Sequence, residues 1–198
     1  KLKKVRTDLN GRILILSDQG LLHPHKGKLY PDRMYRPLLD EKIIDMEIMD
    51  RQFIYLTNTH FFSNDWAGRF QVAHQMRDPT MLIAGKEFEV LVLSDKRAVL
   101  FHNNKAIQSW TFDNPAKRAV HDKHLDRFLL IAGDSVLCLQ ANGTLKTLLR
   151  HPNLHCIAYS EKDESFLVGA SDGYFRVPLN PDRQHTDRVK KLPWPDIR

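Results

Sequence analysis

The chain has 198 residues, 42% of them hydrophobic and 27% charged, and carries a net charge of +6 from 30 Lys and Arg against 24 Asp and Glu. That length suits one domain, or one domain with an extension, and is enough to bury a real core. No apolar run approaches the roughly 18 residues a membrane helix needs, so no membrane insertion of this chain is expected.

Taken in chain order, the sequence predicts the same group of elements five times. The first unit has an apolar or alternating stretch at Leu2–Arg6, the dipeptide Asn10-Gly11, a core ILILSDQGLL from Ile13, and a stretch Lys28–Tyr30. The second has Ile43–Met49, FIYLTNTHFF from Phe53, and Arg69–His74. Thr80–Ala84, VLVLSDKRAV from Val90 and Ala106–Phe112 make the third. The fourth has Arg118–His121, FLLIAGDSVL from Phe128, and Thr144–Leu149 after Asn142-Gly143. His155–Tyr159, FLVGASDGYF from Phe166 and Arg188–Leu192 complete the fifth. The cores start 40, 37, 38 and 38 residues apart, a tight period for sequences of low identity.

Each core is two apolar runs around a short polar turn, so each unit reads as four strands, a to d, with b and c in the core. Asn10-Gly11, Asn142-Gly143 and Asp172-Gly173 fall between strands, where tight hairpins tolerate positive φ. Pro37, Pro79, Pro115 and Pro152 fall between units, as suits a residue without an amide donor. Amphipathic helices are disfavoured, because the apolar spacing is continuous or alternating and not every three to four residues.

Five four-stranded units of this period predict an all-β fold, a β-propeller of about five blades. The expected units are about 1–37, 38–79, 80–115, 116–152 and 153–192, with 193–198 as a tail, in a single propeller domain. They form either a closed five-blade ring or an arc of a larger one, and Leu192-Pro193-Trp194-Pro195 falls where a further link would sit. Doubly apolar b strands such as Ile13–Leu16 and Phe128–Ile131 then pack between neighbouring blades and are architecture, not a cofactor pocket. A chain that begins at Lys1 is expected to have been processed or cut, and no signal peptide is read at Lys1-Leu2-Lys3-Lys4.

Phe166-Leu167-Val168-Gly169-Ala170-Ser171-Asp172-Gly173-Tyr174 resembles the two-component-regulator type of propeller repeat, with Gly169, Gly173 and, in the first unit, Gly20 on its glycine positions. The match at motif level covers one unit. WD40 likeness is architectural, since neither Gly-His nor Trp-Asp occurs in repeat position. The resemblance implies a sensor or ligand-binding module and brings no catalytic residues with it.

Functional residues are sought among the positions that do not repeat. His23-Pro24-His25 puts two imidazoles at strand spacing, on one face if the strand persists through the proline, so that they could share a metal. No third ligand is identified, and no metal or cofactor is expected. Asn64-Asp65-Trp66, near the second c–d turn, offers an aromatic platform with hydrogen-bonding neighbours, as sugar and peptide sites do. His121, Asp122 and His124 make a third polar group, read as exposed. Asp18, Asn58, Asp95, Asp134 and Asp172 recur in the b–c turns and are read as turn residues. Cys138 and Cys156 sit in apolar runs and are read as buried free thiols, with no metal or redox spacing.

Phosphate-loop, dinucleotide, zincin and nucleophile-elbow patterns are absent from the sequence. The basic residues are scattered, without a basic helix or RNP-like aromatics, so no specific nucleic-acid partner is expected. The expected function is therefore a non-enzymatic binding, sensing or scaffolding module that recognises a protein, peptide or glycan partner on one face. The alternative is a propeller hydrolase or lyase with polar residues gathered at the central channel.

Overall fold

The computed structural model describes residues 1–8, 10–32, 42–49, 52–65, 70–140, 142–160, 165–178 and 189–194, with the backbone alone at 64, 65 and 70–73. Among the described residues the chain forms β-strands and no helix. The strands make five antiparallel sheets of four, each in simple up-and-down order. Sheet 1 is β1 (Leu2–Thr7), β2 (Ile13–Ser17), β3 (Gly20–His25) and β4 (Lys28–Pro31). In sheet 2 are β5 (Asp45–Met49), β6 (Gln52–Leu56), β7 (His60–Asp65) and β8 (Phe70–Gln75). Sheet 3 is formed by β9 (Pro79–Ala84), β10 (Glu89–Ser94), β11 (Arg97–His102) and β12 (Lys105–Thr111). β13 (Ala116–Asp122), β14 (Arg127–Ala132), β15 (Ser135–Leu139) and β16 (Leu145–Arg150) build sheet 4. Sheet 5 is β17 (Leu154–Ser160), β18 (Ser165–Ala170), β19 (Gly173–Pro178) and β20 (Lys190–Leu192).

The chain divides into two compact units, Lys1–Ser109 and Trp110–Arg198. In the first, alternation along each second strand sends its side chains into two different layers. Leu14 and Leu16 of β2 pack against Phe53, Tyr55 and Phe62 of sheet 2. The other side of β6, Ile54 and Leu56, packs against Val90, Val92 and Phe101 of sheet 3. Aromatic contacts reinforce both layers: Tyr55 stacks on Phe62 at 5.1 Å and Phe61 on Phe101 at 4.6 Å. The second unit repeats the scheme, with Leu129 and Ile131 of β14 against Phe166 and Val168 of β18. A strand buried on both faces has no room for polar alternation, which is why these runs are continuously aliphatic in sequence.

Two expectations need correction. Pro79 is not in a link but opens β9, where its missing amide faces a register irregularity beside Ser94. Pro37 lies outside the described residues. Cys138 is buried as expected, but Cys156 is exposed. It pairs with Gly169 across β17 and β18, on the opposite side of sheet 5 from the core residues Ile157 and Val168.

The turn row also works differently. In the first two sheets the side chain that bonds turn amides stands one residue before the Asp or Asn. Ser17 Oγ accepts from the amide of Gln19 at 3.1 Å, and Thr57 Oγ1 from that of His60 at 3.1 Å. Asp18, freed of that role, meets the terminal ammonium of Lys1 at 3.2 Å and Lys3 at 3.4 Å.

Candidate functional site

A cleft of about 620 Å³ opens in the second unit, beside sheet 4. One wall is the segment Thr111–Asn114, which leads from β12 towards β13. The other is the β14–β15 turn with β15 and β16, ending at His151 and Pro152. Leu137 and Leu145 bring apolar surface to the cleft, while Asp113, Asn114, Asp134, Thr147, Arg150 and His151 bring polar groups to it.

Local chemistry fixes these walls. Trp110, almost buried, donates its indole N–H to the carbonyl of Gly143 at 3.1 Å, tying β12 to the β15–β16 turn. That turn is closed by Asn142, whose Oδ1 accepts from the amide of Thr144 at 2.9 Å, the role expected of Asn-Gly. Gly133 donates its amide to Pro115 O at 3.2 Å, and Asn114 lies directly where a side chain at 133 would be. A register irregularity between Val136 and Leu137 leaves Ser135 paired with Arg150 but Leu137 with Thr147. Such a bulge re-aims side chains, and here Arg150 and Thr147 both line the cleft.

His151 links the cleft to sheet 5. Its amide donates to Asp134 O at 2.9 Å, its ring lies 4.8 Å from that of Phe175, and Nε2 is 3.7 Å from Asp172 Oδ2. Asp172 also accepts a hydrogen bond from Lys191, and that bond holds its carboxyl below the ordinary value, with desolvation working the other way. The cleft thus combines a cation at Arg150 and carboxylates at Asp113 and Asp134 with a small apolar lining.

The positions singled out in the sequence lie elsewhere. β3 does persist through Pro24, which pairs with Leu29, so His23 and His25 share a face. Tyr30 stands by both, with ring centroids 6.2 and 6.1 Å away. His23 Nδ1 is 3.6 Å from the buried Asp32, which is also paired with Arg12. Among the described residues no group of three His, Cys, Asp or Glu side chains is arranged to hold a metal. Asn64 and Asp65 end β7, and Trp66 lies outside the described residues.

Of the group His121, Asp122 and His124, only His124 is exposed as expected. His121 is 5% exposed, with Nε2 at 3.1 Å from Asp126, and Asp122 is fully buried. Asp122 accepts from the amide of His124 at 3.0 Å and from Arg127 Nε at 2.9 Å. Tyr159 of β17 shares a hydrogen bond with His124 Nε2 at 2.8 Å. Cys138 lies beside this pair, and burial pushes its thiol above the ordinary value although Arg127 opposes the shift. A buried, protonated thiol is inert.

The carboxylates on the first strands of the first unit are likewise engaged. Glu47 receives Arg6 through two bonds of 2.6 Å and Lys4 at 2.6 Å. Asp45 takes Lys4 at 2.7 Å and the amides of Met46 and Leu82, both at 2.8 Å. The bonds to Glu47 hold the Arg6 proton more firmly than usual. This network joins β1, β5 and β9. Each of the two carboxylates makes three of these contacts, which fits a role in holding the strands together.

No known family matches the chain in sequence, and no curated protein does. Solved structures do match in fold. The extracellular domain named for the hybrid two-component system BT4673 of B. thetaiotaomicron superposes with a TM-score of 0.73 at 13% identity, over 97% of this chain and 28% of that one. The WD40 domain of SCAP from fission yeast gives 0.62 at 10% identity, over 97% and 52%. The periplasmic gluconolactonase PpgL of Pseudomonas aeruginosa gives 0.63 at 11%, over 94% and 68%. With the five four-stranded sheets, these likenesses give the chain the β-propeller fold, as its period predicts. The chain spans between about a quarter and about a half of the first two of these structures.

Proposed function

We propose that this protein is a non-enzymatic binding module that takes a short peptide segment of a protein partner in the cleft beside sheet 4. The observation that carries this reading is the cleft's composition. Arg150 can pair with a carboxylate, Asp113 and Asp134 with a cation, and Asn114 and Thr147 can hydrogen-bond a backbone, all alongside Leu137 and Leu145. Few convergent polar groups over apolar contact are what an extended ligand needs for orientation and affinity. A role in sensing or scaffolding follows if the captured segment belongs to a larger assembly, and the regulator-type resemblance of the fifth unit supports it.

The test is titration of isotope-labelled protein with a peptide library and, separately, a glycan library. A peptide should shift the resonances of Asp134, Thr147 and Arg150, and Arg150→Ala should weaken it by about tenfold, the loss of one charge-assisted contact. Shifts produced by glycans alone would replace the peptide by a sugar. The gluconolactonase neighbour motivates a further arm, a screen for lactone and ester hydrolysis. Turnover that disappears in Asp113→Ala or Asp134→Ala would overturn the non-enzymatic reading.

A further inference from the structure

We propose that the outer face of sheet 1 is a packing surface for a further four-stranded sheet of the same repeat, supplied by polypeptide beyond these 198 residues. The observation is a break in an otherwise regular burial pattern. The first and third positions of each core are Ile13 and Ile15, Phe53 and Tyr55, Val90 and Val92, Phe128 and Leu130, and Phe166 and Val168. From the second core onward every one of these is 3% exposed or less. Ile13 is 41% exposed, and Ile15, which pairs directly with Val5, is only half-buried. Val5 and Leu2 extend the same apolar surface, at 51% and 59% exposed.

What covers the corresponding positions elsewhere identifies the occupant. Within the first unit, Phe53 and Tyr55 are covered by Leu14 and Leu16, the second and fourth core positions of sheet 1. Val90 and Val92 are covered in the same way by Ile54 and Leu56. Within the second unit, Phe166 and Val168 lie on Leu129 and Ile131. In each case the first and third positions meet the second and fourth positions of the sheet before. Ile13, Ile15 and Val5 therefore fit another sheet that presents two aliphatic residues at those places. A pleated aliphatic face of this kind is dry in every other sheet, and leaving it wet forfeits the burial that stabilises such layers. The similar folds, which this chain matches almost end to end, extend well beyond the part it covers.

The test is thiol labelling of Ile13→Cys in a Cys156→Ser background, with Val5→Cys as a second variant. Both new thiols lie at exposed positions, so folding should be unaffected. In the 198-residue chain, monomeric by light scattering, each thiol should react at the rate of a free thiol. In the native polypeptide from its source cell, the same thiols should react slower by more than an order of magnitude. Equal reactivity in the two would overturn the proposal, because nothing then covers the face. Protection already present in the 198-residue chain would also overturn it, whether the chain is a monomer or a dimer.

Discussion

At the scale of single residues, two glycines and one glutamate show how tightly the sheets constrain their side chains. Gly173 opens β19 with φ of +145°, and a Cβ there would run into the carbonyl oxygen of Leu192. Gly169 leaves a gap in β18 that the Cys156 sulfur and the Trp194 ring fill from above, and Trp194 also donates to Ala170 O at 3.1 Å. Gly173→Ala should therefore destabilise by about 2 kcal/mol or more, combining a strained φ with a displaced strand, as measured by denaturant unfolding. Glu47→Ala should cost on the order of 3 kcal/mol, because Lys4 and Arg6 lose a shared partner in a largely buried place. Lys191 gives a pH-dependent effect. It lowers the carboxyl of Asp172, so its contribution is present above the ordinary carboxylate range, about pH 4, and is lost as pH falls through the lowered value. Lys191→Ala should raise the Asp172 midpoint in a carboxyl-detected titration, and the stability change should be small because the pair is exposed.

The strands were legible at the scale of elements because each is an apolar or alternating run with its own turn chemistry. β2, β10, β14 and β18 begin within one residue of the cores that predict them. Side-chain partners across sheets were not legible, since they depend on which strands become neighbours. Trp110 illustrates the gap. Nothing near it in sequence points to Gly143, which it holds from 33 residues away. The sequence signal for the cleft was equally weak, because Asp113, Asp134 and Arg150 converge only after a bulge and two turns are formed. The loops from first to second strands carry a device that could have been found by comparing units. Asp8 accepts the amides of Asn10 at 2.9 Å and Arg12 at 2.8 Å, and Asp122 makes the equivalent bond to His124. Asp122→Ala should lower stability by about 3 kcal/mol, since Arg127 also loses its buried partner, and adding Arg127→Met should recover part of the loss. A melt of both variants checks this.

For the molecule as a whole, the repeat means that stability is built from similar sheets and the layers between them. Protection should then follow depth and not position along the chain. Amides of β10 and β14, whose strands are almost wholly buried, should exchange slowest, and those of β4, exposed along its length, fastest. Hydrogen exchange read by mass spectrometry distinguishes this from protection graded from one terminus to the other.

The fourth strand of every sheet is an edge, hydrogen-bonded on one side only. Four of the five such strands carry lysine: Lys28, Lys105, Lys146, and Lys190 with Lys191. An open strand rim is a template for fibril-like growth, and lysine is the residue that most often blunts it. Part of the chain's positive charge thus serves, at these positions, to keep copies of the protein from zipping together edge to edge.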